Sequence, residues 1–240
     1  MHDVLRRDVE FTWLGHATFR VMTPGGKIVL IDPWVHGNPA CPEQWKSIDR
    51  CDLMLVTHAH FDHIGDSIAI AQKTGAKVVG IVELLSWLGK KGVPEGQLAP
   101  MNKGGTQRFG DISVTMVHAD HSCGITDGDQ ILYGGEAVGY VVTLENGFRF
   151  YHAGDTNVFG DMALIHELYQ PELVMIPIGD HFTMSPVEAA KAAQLLRAKH
   201  IIPMHFGTFP ILSGTPRRLQ ELTADSGCTV HELKPGDTLT

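Results

Sequence analysis

Three histidines and one aspartate fall within the six residues His58 to His63, in the stretch Thr57-His58-Ala59-His60-Phe61-Asp62-His63. Neither a core segment nor a solvated coil has a folding reason for that density. Imidazole is half polar, and a carboxylate resists burial unless paired. Imidazole nitrogen and carboxylate oxygen together form the donor set for Zn²⁺ and similar divalent ions. His58 and His60, two apart on an extended segment, can point to one side. Asp62 and His63 follow where the chain must turn, so they can face a neighbouring position. Four donors on one loop are many for a single tetrahedral ion that must also keep a position open for water. Two ions are therefore expected.

The surrounding elements must position these groups. Asp52-Leu53-Met54-Leu55-Val56 is a short apolar run, read as a buried strand that delivers the cluster at its C-terminal end. Residues 67–74 read as a short helix closed by Gly75. Upstream, residues 10–14, 18–22 and 27–31 read as a strand meander, with Pro24-Gly25-Gly26 as a turn. Downstream come a strand at 77–81, a helix at 82–90 and a hairpin of 106–109 with 112–117. A second hairpin joins 139–144 to 148–152 through Asn146-Gly147. Residues 123–137 read as a loop broken by glycines and aspartates. A helix at 161–169 precedes a strand at 173–177. Ser185-Pro186-Val187-Glu188 is a capping-box start for a helix to Leu196. A strand from His200, a helix at 216–224 and a strand at 229–233 complete the reading. His118 and His121, Asp155, His181 and His205 each follow one of these strands. Strands sharing a sheet would bring those ends together.

The segment from Thr57 to His63 resembles the T-H-x-H-x-D-H signature of the metallo-β-lactamase superfamily. The resemblance covers nearly the whole chain. It implies an α/β (α+β) fold, a four-layer αββα sandwich, taken here as one domain over residues 1–240. It selects His121 over His118 as the third-motif histidine. Asp155, in Ala153-Gly154-Asp155-Thr156, becomes the acid that bridges two ions, and His205, in Pro203-Met204-His205-Phe206-Gly207, becomes the fifth-motif ligand. The implied metal ligands are His58, His60 and His121 at one site, Asp62, His63 and His205 at the other, and Asp155 between them. The implied cofactors are two divalent ions, zinc first, with manganese, iron or nickel as alternatives.

The same resemblance places Trp13-Leu14-Gly15-His16-Ala17-Thr18 near the metals. It makes Asp32-Pro33-Trp34 through Asn38-Pro39 a pocket wall, with Trp34 and Asn38 facing substrate, and it makes the segment from Gly179 to Met184 a pocket lining. The blander readings are a turn histidine at His16, an Asp32 that accepts backbone hydrogen bonds and an Asp155 that caps the next turn. In the implied mechanism Asp62 orients the nucleophile, and His181 or His16 polarises the substrate or protonates the leaving group. The branch is similar to L-ascorbate-6-phosphate lactonase and N-acyl-phosphatidylethanolamine phospholipase D. Hydrolysis of a lactone, ester or phosphodiester bond in a small molecule is therefore expected. Aspartate at 155, where antibiotic-hydrolysing members typically carry cysteine, disfavours β-lactamase activity. The alternatives are a phosphodiesterase or nuclease of the same fold, or a non-catalytic metal-binding regulator. A redox di-iron protein is disfavoured because such members usually place Glu where this chain has His60.

Bulk properties fit. The 240 residues are 43% hydrophobic, enough for a sizeable core. A formal charge of −8 argues against general nucleic-acid binding. Four scattered cysteines without a C-x-x-C pair fit a reducing cytoplasm. Residues 1–8 lack the apolar core of a signal peptide, and no apolar run reaches membrane-spanning length. A small-molecule substrate is the expected partner, with no nucleic acid and no membrane; a homo-oligomer is compatible with the sequence. His2, His36, His166 and His231 have no motif register and no assigned role.

Overall fold

A computed structural model describes Leu5 and residues 8–240. His2 and most of residues 1–8 lie outside the described residues.

The first sheet opens as the expected meander of β1 (Glu10–Trp13), β2 (Phe19–Met22) and β3 (Ile28–Ile31), paired antiparallel. It continues in parallel with β4 (Leu53–Leu55), β5 (Lys77–Ile81) and β6 (Leu98–Met101). The crossovers carry α1 (Phe61–Ile64), α2 (Ser67–Thr74) and α3 (Val82–Lys90). Gly75 closes α2 in the left-handed conformation, its N–H bonded to the Ala71 carbonyl. The strand at β6 was not expected. It contains Pro100, which an edge strand tolerates because the missing donor faces away from the ladder.

The second sheet takes β7 (Thr106–Phe109) and β8 (Ile112–His118), and later β11 (Val138–Thr143) and β12 (Arg149–His152), all paired antiparallel. Between β8 and β11 the expected loop is instead a hairpin, β9 (Gly124–Asp127) and β10 (Gln130–Tyr133). Its tip is Gly128-Asp129, with Gly128 at φ +61°, the first turn position, where glycine is favoured. After α4 (Met162–Tyr169) the sheet continues in parallel through β13 (Leu173–Pro177), β14 (His200–Met204) and the short β15 (Thr229–Val230), by way of α5 (Pro186–Leu195) and α6 (Pro216–Thr223). The capping box forms: the Glu188 amide donates to Ser185 Oγ, and the Ser185 amide donates to the Glu188 carboxylate. The chain then returns to the first sheet as β16 (Thr238–Leu239) beside β1.

Period-two alternation separates two cores. Tyr140, Val142, Phe150, Met175 and Ile202 face the first sheet, where Phe11 meets Phe150 edge-on at 5.1 Å. Val141, Tyr151, Val174, Ile176 and Ile201 pack outward with buried residues of α4, α5 and α6. The result is the αββα sandwich.

Strand direction explains where the chemistry gathers. β1 and β3 are each antiparallel to β2, so the turn after β1 and the end of β3 lie at one edge, and parallel β4 ends there too. In the second sheet β8 and β12 are each antiparallel to β11, and β12, β13 and β14 run parallel. Their C-terminal ends therefore also share an edge.

Candidate metal centre

His16 follows β1, Asp32 ends β3 and His58 to His63 follow β4. His121, Asp155 and His205 follow β8, β12 and β14. His16, Asp32 and His205 hold left-handed backbone, with φ of 57°, 47° and 56°. Such backbone costs of order 1–3 kcal/mol per residue and persists where surrounding structure imposes it.

Two donor groups converge. His58, His60 and His121 form one; His16, Asp62, His63 and His205 form the other. In the first, His58 Nε2 lies 3.0 Å from His60 Nδ1, and His121 Nε2 lies 3.3 Å from the same atom. Donors bound to one ion at about 2.0–2.1 Å in a tetrahedral shell lie about 3.3 Å apart. Asp155 Oδ2 sits between the groups. It is 3.9 Å from His58 Nε2, 3.8 Å from His121 Nε2, 3.3 Å from His63 Nε2 and 3.0 Å from His205 Nε2.

Hydrogen bonds fix which nitrogens are free. Thr57 Oγ donates to Asp32 Oδ2 at 2.7 Å, so it can accept from His58 Nδ1 at 3.0 Å, which leaves His58 Nε2 as a lone pair. His63 Nδ1 donates to Asp32 Oδ2 at 2.8 Å, which frees His63 Nε2. His63 Nε2 and Asp155 Oδ1 are buried with no hydrogen-bond partner. Asp155 Oδ2 lies 3.3 Å from His63 Nε2, and buried acceptors left without a hydrogen-bond partner beside it call for a cation. Burial alone would keep His63 neutral, but Asp155 and Asp32 outweigh it and hold the imidazole well above its ordinary pKa. A proton thus takes the place a metal would fill, and the two compete for one nitrogen. Burial opposes charge on Asp155, yet His205 and His63 hold it well below the usual carboxylate range. The residues fit divalent ions.

His16 differs from expectation. Its ring is fully buried, with Nε2 2.9 Å from Asp62 Oδ2 and Nδ1 3.0 Å from Thr208 Oγ. Both nitrogens are engaged, so it acts on substrate only through Asp62. Burial lowers its pKa to about 4, against the pull of Asp62. Asp62 resists burial of its charge, but the His16 contact holds it at about 2. Below pH 6.5 an unfolded histidine binds a proton that folded His16 refuses, so stability falls as pH drops from about 6.5 to about 4. In the metal-free protein that share is about 2–3 kcal/mol. Urea unfolding at pH 6.5 and 4.5 should show it, with a smaller difference in His16→Gln.

Four residues expected at the pocket do not line the cavity. Asn38 is fully buried and staples its own loop: its amide donates to the Gly15 and Trp34 carbonyls and accepts from the Ala40 N–H. Met184 is fully buried in the outer core beside α4 and α5. Consecutive left-handed residues, Asp180 and His181, turn the loop so that Phe182 lines the cavity, while exposed His181 packs edge-on to the Phe182 ring. Trp34 stands behind the wall, edge-on to Phe61 and stacked on Phe209. His118 is directed away, beside Lys103 and Phe159. His200 pairs with His231, apart from both donor groups.

The sequence reading missed other contributors. Asp32 accepts from the Thr57 N–H at 2.8 Å, as the blander reading expects, and the same carboxylate orients His63. His152 is a buried staple, with Nε2 donating to the Ala17 carbonyl and Nδ1 accepting from the Gly154 N–H. The adjoining Gly154 sits at φ +63°, where a Cβ would come within 2.7 Å of the Val138 carbonyl oxygen and 2.9 Å of Thr57 Cβ. Gly154→Ala should therefore destabilise the fold by more than the roughly 1–2 kcal/mol of left-handed strain. It should also lower metal content by displacing Asp155, both read on one purified sample by denaturant titration and elemental analysis.

The family model described as a β-lactamase superfamily domain matches residues 27–206. The chain belongs to that superfamily. It is 61% identical to a UPF0173 metal-dependent hydrolase from Koribacter versatilis (strain Ellin345), over 96% of this chain and 97% of that one. It is 50% identical to a UPF0173 metal-dependent hydrolase from Roseiflexus sp. (strain RS-1), over 97% and 98%. The solved structure of Igni18, a metallo hydrolase from Ignicoccus hospitalis KIN4/I, aligns with TM-score 0.84 and 34% identity, covering 96% and 97% of the two chains. The chain is a metal-dependent hydrolase of the metallo-β-lactamase fold. No described helix is long and apolar enough to cross a membrane.

Proposed function

We propose that the protein holds two divalent ions and hydrolyses an ester, lactone or phosphodiester bond in a small molecule. One ion is assigned to His58, His60 and His121, the other to Asp62, His63 and His205, with Asp155 shared. The observation that carries this reading is Asp155 Oδ2, within 3.0–3.9 Å of Nε2 atoms from four histidines drawn from both groups. When bound, such ions polarise the scissile group and lower the pKa of water towards neutrality.

The chain supplies orientation and charge. His16 Nε2 engages one oxygen of Asp62, which keeps the carboxylate ionised at neutral pH. Asp62 lines the cavity and aligns the attacking water as a hydrogen-bond acceptor. With a pKa near 2 it orients rather than removes protons. Zinc is the first choice of metal for this nitrogen-rich donor set.

Elemental analysis of protein purified without added metal should find about two ions per chain. A chelator should abolish turnover of an ester and phosphodiester panel, and Zn²⁺ or Mn²⁺ should restore it. Turnover that survives complete metal removal would sink the reading.

A further inference from the structure

A cavity of about 410 Å³ opens over Asp155, His121 and His205. Its remaining walls are chiefly aromatic: Phe61 from the start of α1, Phe182 from the loop before α5 and Phe209 after β14. Phe61 is 64% exposed and Phe182 55% exposed. Large apolar rings held in water forgo burial that a ligand can restore. They are also braced. Trp34 lies edge-on to Phe61 at 5.7 Å and stacks on Phe209 at 6.0 Å, so two of the three rings share one buried support. The wall is preformed, which lowers the ordering cost of binding.

The charge of the lining points the same way. Among the described residues, no lysine or arginine lines this cavity; its ionised side chains are Asp62 and Asp155. Sites that bind phosphate commonly add Arg or Lys side chains as charge-assisted donors. Among the described residues its lining hydroxyls are Thr126 and Ser122, and the Ser122 hydroxyl already contacts His60 Nε2 at 3.3 Å. A phosphorylated substrate would depend on the ions alone, against two carboxylates.

We infer that the substrate is a neutral carboxylic ester or lactone carrying a phenyl-sized apolar group, which seats between Phe61, Phe182 and Phe209, and not a phosphorylated compound. This rests on the hydrolase reading above and narrows it. In the reaction, water oxygen bonds to the acyl carbon as the acyl C–O bond breaks. One water proton passes to the departing oxygen, giving a carboxylic acid and an alcohol, with no oxidant or reductant required.

The test compares γ-phenyl-γ-butyrolactone, γ-butyrolactone and bis(p-nitrophenyl) phosphate as substrates of the metal-loaded protein. Calorimetry adds equilibrium binding of unreactive 2-phenyltetrahydrofuran and of phenyl phosphate to the metal-free protein. The phenyl lactone should exceed the parent lactone in kcat/KM at least tenfold, the low end of what burying such a ring is worth. Phe182→Ala and Phe209→Ala should bring the two lactones towards equality and weaken 2-phenyltetrahydrofuran binding severalfold. Faster phosphodiester than phenyl-lactone turnover, tighter binding of phenyl phosphate, or a lactone preference unmoved by both substitutions overturns the inference. Binding as expected without turnover of any substrate would instead remove the hydrolase reading and leave the apolar pocket standing.

Discussion

Replacing Asp155 by Ala should reduce hydrolysis to background and lower the metal bound per chain, in a protein that still folds. Among the described residues, Asp155 is the carboxylate whose oxygen lies within 4 Å of imidazole nitrogens from both donor groups. Losing an outer partner of a metal ligand costs roughly 10–100-fold in affinity or activity. On the proposed two-ion reading Asp155 would be the shared ligand, so its loss should cost more. If two ions bind as proposed, an anion between them would offset their mutual repulsion. The fold should survive, because Asp155 lies past the end of β12 and the hydrophobic cores on either side do not include it. Asp155→Asn separates charge from shape: it keeps an oxygen donor but removes the charge, so metal content should again fall. Elemental analysis beside a thermal melt reads both effects. If Asp155→Ala kept wild-type metal content and turnover, the ions would have to sit elsewhere.

Much of this site was legible because its donors are dense and each follows an apolar run. His58, His60, Asp62 and His63 announce themselves by type and spacing, and the directions of β8, β12 and β14 do the rest. The residues that do not line the cavity share a different cause. Asn38, Met184 and His181 lie in segments of the right motif register, but register fixes where the backbone passes, not which way a side chain turns. Two left-handed residues at Asp180 and His181 suffice to exchange a histidine for Phe182 at the cavity. The hairpin at β9 and β10 is hidden because glycines and aspartates mask its alternation, although Gly128-Asp129 is a two-residue turn signal. The aromatic wall was invisible for another reason. Phe61, Phe182 and Phe209 are far apart in sequence, and a lone phenylalanine in a loop reads like any core residue.

Asp32 shows what sequence spacing cannot supply, and its substitution is the second large effect expected. The carboxylate is fully buried. It accepts from the Thr57 N–H at 2.8 Å, the Thr57 hydroxyl at 2.7 Å and His63 Nδ1 at 2.8 Å. Through Thr57 it also sets His58, so one side chain fixes the tautomer of a histidine in each donor group. Asp32→Asn keeps the size and tolerates the left-handed backbone at φ 47°. However, its amide presents N–H where an acceptor is needed. If that group faces His63 Nδ1, the imidazole proton must move to Nε2, the atom that faces Asp155. Metal affinity, read by competition with a chromophoric chelator, should fall by about 10–100-fold. Asp32→Ala should do this and also leave the Thr57 N–H and hydroxyl unpaired, at roughly 1–3 kcal/mol each. The two variants therefore separate tautomer control from stability. Metal affinity unchanged in Asp32→Asn would show that the imidazoles are oriented by packing, here the 4.0 Å contact between the His58 and His63 rings, rather than by this carboxylate.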